Sequence, residues 1–234
     1  MRSRRDSRSG SGAWAADTRR PATRACVTAL VLTLLVLPGV RLAGAAEPSV
    51  TVLAPSTADD RITPSREAIA FWNDRLAELG VETRLAGPRV VVESPVARAL
   101  ENYARQVVQR AVRLPAGPSE PAPPAALTNL DADIVVLLSR QDIMSFTWPM
   151  PRVSPPRHFV VIRSVRGPYR HDAMVSRHVI AHELGHALGL DHNAEPHTLM
   201  CGPCQPLTSE PDATGFLPLT TADRARLVAL HGGR

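Results

Sequence analysis

The sequence predicts an α+β fold of about five short strands and several amphipathic helices, and three observations predict it. Five short runs of largely apolar, β-branched or aromatic residues, at 49–53, 81–92, 132–138, 144–148 and 158–165, are bounded by turn-forming residues. Between them lie stretches whose apolar residues recur every three or four positions, the spacing of one helical face. A length of 234 residues allows one ordinary domain with appendages.

Residues 1–45 read as an export leader. An Arg/Ser-rich opening precedes the apolar run Ala25 to Leu37, a Pro38-Gly39 break and Ala43-Gly44-Ala45, the layout of a secretory signal with an A-x-A cleavage site. The run is shorter than the roughly 20 apolar residues a membrane span needs. Cleavage near Ala45 would therefore release a mature chain, 46–234, with no stable membrane span, secreted or held in a periplasmic or other extracytoplasmic space; an uncleaved anchor at the membrane surface is the alternative. The formal charge of +5 invites a nucleic-acid partner, but the leader holds eight arginines against Asp6 and Asp17. The remainder has 19 arginines against 20 acids, about −1, so a nucleic-acid partner is not expected.

In the mature part, Ser49 to Leu53 reads as a first strand. Thr63 is placed to cap a helix with Pro64 at its first position, and Ile69, Trp72, Leu76 and Leu79 form its apolar stripe up to Gly80. Val81 to Val92 carries a second strand. Ser94-Pro95 opens a second helix, in which Val96, Leu100, Tyr103, Val107, Ala111 and Leu114 keep helical spacing. Pro115 to Ala125, rich in proline and alanine, reads as an exposed linker inside the domain. Ala132 to Leu138 is an unbroken apolar strand suited to a sheet interior. Met144 to Trp148, ended by Pro149, and His158 to Val165 are two more. Asp172 is placed to cap a further helix whose inward residues are Val175, Val179 and Leu188. Thr220 and Asp223 make a capping-box-like pair before Leu227 and Leu230, a helix read as plain core packing.

The chemistry lies on the helix that Asp172 caps and in the turn after it, in Ala181-His182-Glu183-Leu184-Gly185-His186-Ala187-Leu188-Gly189-Leu190-Asp191-His192. Residues four apart share a helix face, so His182 and His186 can point ring nitrogens at one ion about 2.0–2.1 Å away. Glu183 sits about 100° round the helix from His182, within reach of a metal-bound water without ligating. A straight helix would carry His192 about 15 Å along the axis. Gly189 can adopt the left-handed conformation that ends helices and turn the chain back. The set fits one zinc ion held by His182, His186 and His192, with Glu183 free to act as general base.

This wording, His-Glu-Leu-Gly-His-Ala-Leu-Gly-Leu-Asp-His, resembles the metzincin metallopeptidases and, within them, the matrixins. Two further segments are similar: Thr198-Leu199-Met200, where the family's Met-turn sets a methionine beneath the imidazoles, and Leu219 to Asp223 with Leu227, Leu230 and Gly232, the C-terminal helix. The resemblance implies a metzincin-like catalytic domain, with a twisted mixed β-sheet of about five strands packed on an active-site helix, an N-terminal helix and a C-terminal helix. Together with the leader, which supplies the export, it implies an exported zinc-dependent endopeptidase acting on peptide or protein substrates through one catalytic Zn²⁺, with Glu183 as general base and then acid, Gly189 and Met200 as structural support, and 144–148 as the edge strand that pairs with an extended peptide. The chain departs from the pattern in its extra helix and Pro-rich loop within 94–130. The loop that carries a structural zinc and calcium in matrixins is missing, so only the catalytic metal is expected, and His158, His171 and His178 are given surface or supporting roles.

Where matrixins show Pro-x-Tyr in the wall of the specificity pocket, this chain has Cys201-Gly202-Pro203-Cys204. Cys26 leaves with the leader, and an oxidising compartment would join the remaining pair. A thiol redox site and a second metal site are the other readings of these cysteines. For the whole protein, the rivals to a peptidase are a catalytically weak zinc-dependent binding module and an exported redox protein.

Overall fold

The run Ile134–Leu138 is apolar at every position, so it can be buried only where both faces of a sheet are covered. The computed structural model, which describes residues 47–112, 121–150, 153, 156–164, 172–204 and 215–232, meets this requirement with helices on both sides. The export leader, most of the Pro-rich linker and His171 lie outside the described residues. Among the described residues no helix is long and apolar enough to cross a membrane.

The strands are β1 (Val50–Ala54), β2 (Arg89–Val92), β3 (Ile134–Leu138), β4 (Phe146–Met150) and β5 (Arg157–Ile162). They form one five-stranded sheet in the order β2-β1-β3-β5-β4. β1 runs parallel to β2 and β3, β3 runs parallel to β5, and β4 closes one edge antiparallel to β5, so the sheet is mixed, as expected. Alternation along the strands sorts the core into two layers. Val52, Val136, Val160 and Ile162 face α1 (Ile62–Glu78) and α4 (Ala173–Ala187). Leu53, Val135, Leu137, Phe159 and Val161 face α2 (Ala97–Val112), with the short α3 (Ala125–Thr128) beside it. The extra helix of the sequence is thus what covers the second face.

Several boundaries differ from the sequence reading. Helix α1 begins at Ile62, not after Thr63. Asp59 accepts from the Arg61 amide, and the Ile62 amide donates to the Asp59 carbonyl, which starts the turn earlier. Pro64 is still within the first turn, whose amides need no helical partner. At the other end Gly80 has φ +68° and donates to Ala77 O, while Val81 donates to Leu76 O; this six-to-one and five-to-two pair ends the helix where the glycine predicted it. Only Arg89–Val92 of the second apolar run is strand. The segment before it is held to α1 instead, since Asn73 Oδ1 accepts from the Leu85 amide at 2.8 Å and Asn73 Nδ2 donates to Leu85 O at 2.9 Å.

Pro149 lies inside β4 instead of ending it, which an edge strand tolerates because one row of its amides needs no ladder partner. Strand β5 begins at Arg157 and ends at Ile162. On α4 the buried apolar residues are Ile180, Ala181 and Leu184, followed by Leu188, while Val175 and Val179 are half-buried. The helix carries apolar residues on more than one stripe, and packing against α1 selects among them. Trp72 Nε1 donates to Ala181 O at 2.8 Å across that contact. The final helix, α5 (Thr221–His231), has the expected capping box: Thr220 Oγ1 accepts from the Asp223 amide and Asp223 Oδ2 from the Thr220 amide. Leu227 is buried, whereas Leu230 is half-exposed.

Candidate metal centre and active-site cleft

Helix α4 starts where Asp172 Oδ1 accepts the amides of Met174 and Val175, and it delivers His182 and His186 one turn apart. It ends at Gly189, φ +89°, with Gly189 N donating to His186 O and Leu190 N to Gly185 O. This is the same helix-ending pair as at Gly80, and it turns the chain so that His192 comes back over the last turn. The three Nε2 atoms then form a near-equilateral triangle: 3.2 Å between His182 and His186, and 3.1 Å from His192 to each.

That triangle fits zinc. Tetrahedral zinc with Zn–N bonds of about 2.0–2.1 Å separates its ligand nitrogens by about 3.3–3.4 Å. The tautomers fit as well. His182 Nδ1 lies 2.7 Å from Leu199 O and His186 Nδ1 lies 2.8 Å from Leu190 O; a carbonyl only accepts, so each Nδ1 carries the proton and each Nε2 turns a lone pair to the centre. Burial holds His182 down to about 4 and His186 below its ordinary value, which keeps both neutral near pH 7. Lone pairs facing one another this closely repel unless a cation lies between them. Among the described residues this is the one group of His, Cys, Asp and Glu side chains placed to share an ion.

Glu183 stands outside the triangle and is 6 % exposed. Burial pushes its carboxyl up to about 7, opposed in part by a hydrogen bond from Thr147. Thr147 Oγ1 lies 2.9 Å from Glu183 Oε2 and 2.6 Å from Glu183 O. Sequence reasoning missed this residue. The signal was the period of two along β4: Phe146 and Trp148 join the core layer under α2, so Thr147 and Pro149 face α4.

Met200 is fully buried against Gly185, where an added Cβ would lie 2.5 Å from Met200 Sδ and 2.9 Å from Trp72 Cζ2. Cys201 and Cys204 are joined in a disulfide, and with Gly202 and Pro203 they line the cleft opposite β4. Reading α5 as mere core packing needs correcting. Arg226 Nε donates to Gly189 O at 2.6 Å, Asp223 Oδ2 accepts from Asn193 Nδ2 at 3.0 Å, and His231 Nε2 lies 2.8 Å from Leu188 O. The helix therefore braces the turn that presents His192. Of the other histidines, His178 is buried between Met174 O and the Leu217 amide, and His158 lines the cleft on the same face of the sheet as Thr147. Neither joins the triangle.

The family model for Matrixin matches residues 116–232. The chain belongs to the matrixin family. This matrixin, a metzincin-like zinc metallopeptidase by family, is also similar to two solved structures. Archaemetzincin from Methanopyrus kandleri is 13 % identical with a TM-score of 0.42, over 80 % of this chain and 97 % of that one. A zinc-dependent peptidase from Methanocorpusculum labreanum is 16 % identical with a TM-score of 0.36, over 76 % and 99 % respectively. Comparison with curated proteins returns no match.

Proposed function

We propose that this matrixin is an exported endopeptidase that uses one zinc ion, held by His182, His186 and His192, and Glu183 as its acid–base group. The observation that carries this reading is the pairing of three converging Nε2 atoms, 3.1–3.2 Å apart, with a buried carboxylate outside their triangle. A structural zinc site would close with a fourth protein ligand. When bound, zinc supplies a Lewis acid that makes water acidic near neutral pH and polarises a carbonyl.

The chain's own residues do the rest. Leu199 O and Leu190 O fix the imidazole tautomers of His182 and His186. Glu183, its carboxyl raised above the ordinary carboxylate range by burial, is suited to taking a proton and returning it to the leaving amine. Strand β4 is an edge of the sheet, so its unpaired backbone groups are available to an extended peptide. The 201–204 wall and the Pro149 end of β4 bound that peptide's path. Export is supported by the leader-like composition of 1–45 and by the cysteine pair.

The experiment is Glu183→Gln in the zinc-loaded protein, with cleavage-site profiling of a peptide mixture with and without chelator. The expected result is unchanged zinc stoichiometry and hydrolysis lost in both the variant and the chelated protein. Turnover near that of the wild type in Glu183→Gln would sink the assignment. Absence of cleavage by the zinc-loaded wild type would favour a binding module.

A further inference from the structure

Thr147 is a polar side chain in the cleft, outside the histidine motif, that touches Glu183. Its hydroxyl has one proton, so it donates either to Glu183 O, 2.6 Å away, or to Glu183 Oε2, 2.9 Å away. The two acceptors differ in need. The carbonyl lies inside α4, where the amide four residues on already serves it. The carboxylate is buried, and among the described residues Thr147 is its one hydrogen-bond donor. A donor to a buried charged oxygen makes a stronger bond than one to an already served carbonyl.

We propose that Thr147 is a positioning residue for Glu183, its hydroxyl holding Oε2 against the edge strand so that Oε1 is the oxygen presented to the cleft. The inference rests on the reading of Glu183 as the acid–base group. It adds a link between two parts of the site. Thr147 sits in the middle of β4, paired with Val160 of β5, and β4 is the strand along which an extended peptide would lie. One strand therefore seats the peptide and sets the carboxylate, so that base and scissile bond share a frame. The bland alternative is that Thr147 only packs β4 onto α4, a role its methyl group would fill without the hydroxyl.

Substitutions separate the two. Thr147→Val keeps the shape and the methyl but removes the donor; Thr147→Ser keeps the donor and removes the methyl; Thr147→Ala is a second donor-free form should the valine fail to fold. Each would be made in the full chain, loaded with zinc, and assayed on a quenched-fluorescent peptide that the wild type cleaves, beside Glu183→Gln. Loss of a hydrogen bond to a charged group is expected to lower kcat by about tenfold or more in the donor-free variants. KM should stay within about twofold and Thr147→Ser should stay within about threefold of wild-type kcat. A readout independent of turnover is the ¹³C carboxyl resonance of Glu183 in the zinc-free protein, assigned by its loss in Glu183→Gln. It should move in Thr147→Val and not in Thr147→Ser.

Wild-type kcat and an unmoved resonance in Thr147→Val, or equal damage from Thr147→Ser and Thr147→Val, would overturn the proposal while leaving Glu183 in its role. An active Glu183→Gln would remove both.

Discussion

A Cβ built on Gly202 would lie 2.6 Å from Cγ of His192 and 2.8 Å from its Cβ. Atoms do not approach so closely without bonding, so with any side chain at 202 either the loop or the imidazole that completes the triangle must shift, and the ring is the part expected to move. Gly202→Ala is therefore expected to weaken zinc binding by about 10–100-fold, the range seen when support around a ligand is lost. Competition against a chelating dye would measure it. Wild-type affinity would show that the 201–204 loop yields and not the ring.

The contrast with what the sequence could show follows from distance along the chain. His182, His186 and Gly189 lie within two turns of one helix, and both Asp172 and Thr220 act on amides two or three residues away, so spacing alone exposed them. Thr147 meets Glu183 across 36 residues, and Arg226 meets Gly189 across 37. Those contacts depend on how β4 and α5 dock, which no local period encodes. The same limit explains α4, where two apolar stripes compete on paper and only packing against Trp72 chooses.

Gly185 tests that packing. Replacing a helical glycine by alanine ordinarily stabilises by about 1 kcal/mol. Here the added methyl would sit 2.5 Å from Met200 Sδ and 2.9 Å from Trp72 Cζ2, and overpacking costs about 1–3 kcal/mol. Gly185→Ala should be net destabilising in urea unfolding at fixed zinc. Met200→Ala alone should lose about 2–5 kcal/mol to its cavity. In that background Gly185→Ala should cost less than in the wild type, with only the Trp72 contact left to relieve; additive effects would mean that the added methyl and Met200 do not compete for one space.

Arg61 tests the frame behind the site. It is 7 % exposed, pairs with Asp59 at 2.6 Å, and its Nη1 donates to the carbonyls of Ser139, Ile162 and Arg163 at 2.9, 3.2 and 3.1 Å. One guanidinium thus ties the start of α1 to the chain just beyond β3 and at the end of β5. Arg61→Met would leave a buried carboxylate unpaired and should cost about 3–5 kcal/mol. The double variant with Asp59→Asn should lose less than the sum of the two single changes. Denaturation midpoints would decide, and a loss under about 1 kcal/mol for Arg61→Met would show that the ties contribute little.

The buried carboxyl of Glu183 also sets a pH dependence, which the zinc-free protein should reveal. Its folded pKa of about 7 lies above the ordinary 4.5, so between these values the folded chain binds more protons than the unfolded one and stability falls as pH rises. His182 works the other way. Its folded value of about 4 lies below 6.5, so the unfolded chain binds more protons between them and stability rises with pH, with His186 adding in the same direction. From about 4.5 to 6.5 the opposing slopes offset one another. Glu183→Gln removes only the first, so the variant should gain stability steeply with pH across that window. Above about pH 7 it should exceed the wild type by roughly 3 kcal/mol, the cost of keeping a desolvated carboxylate ionised. Urea unfolding of both chelator-treated proteins between pH 4.5 and 8 would measure the difference. Parallel stability profiles would mean that the Glu183 carboxyl is not desolvated in the folded chain.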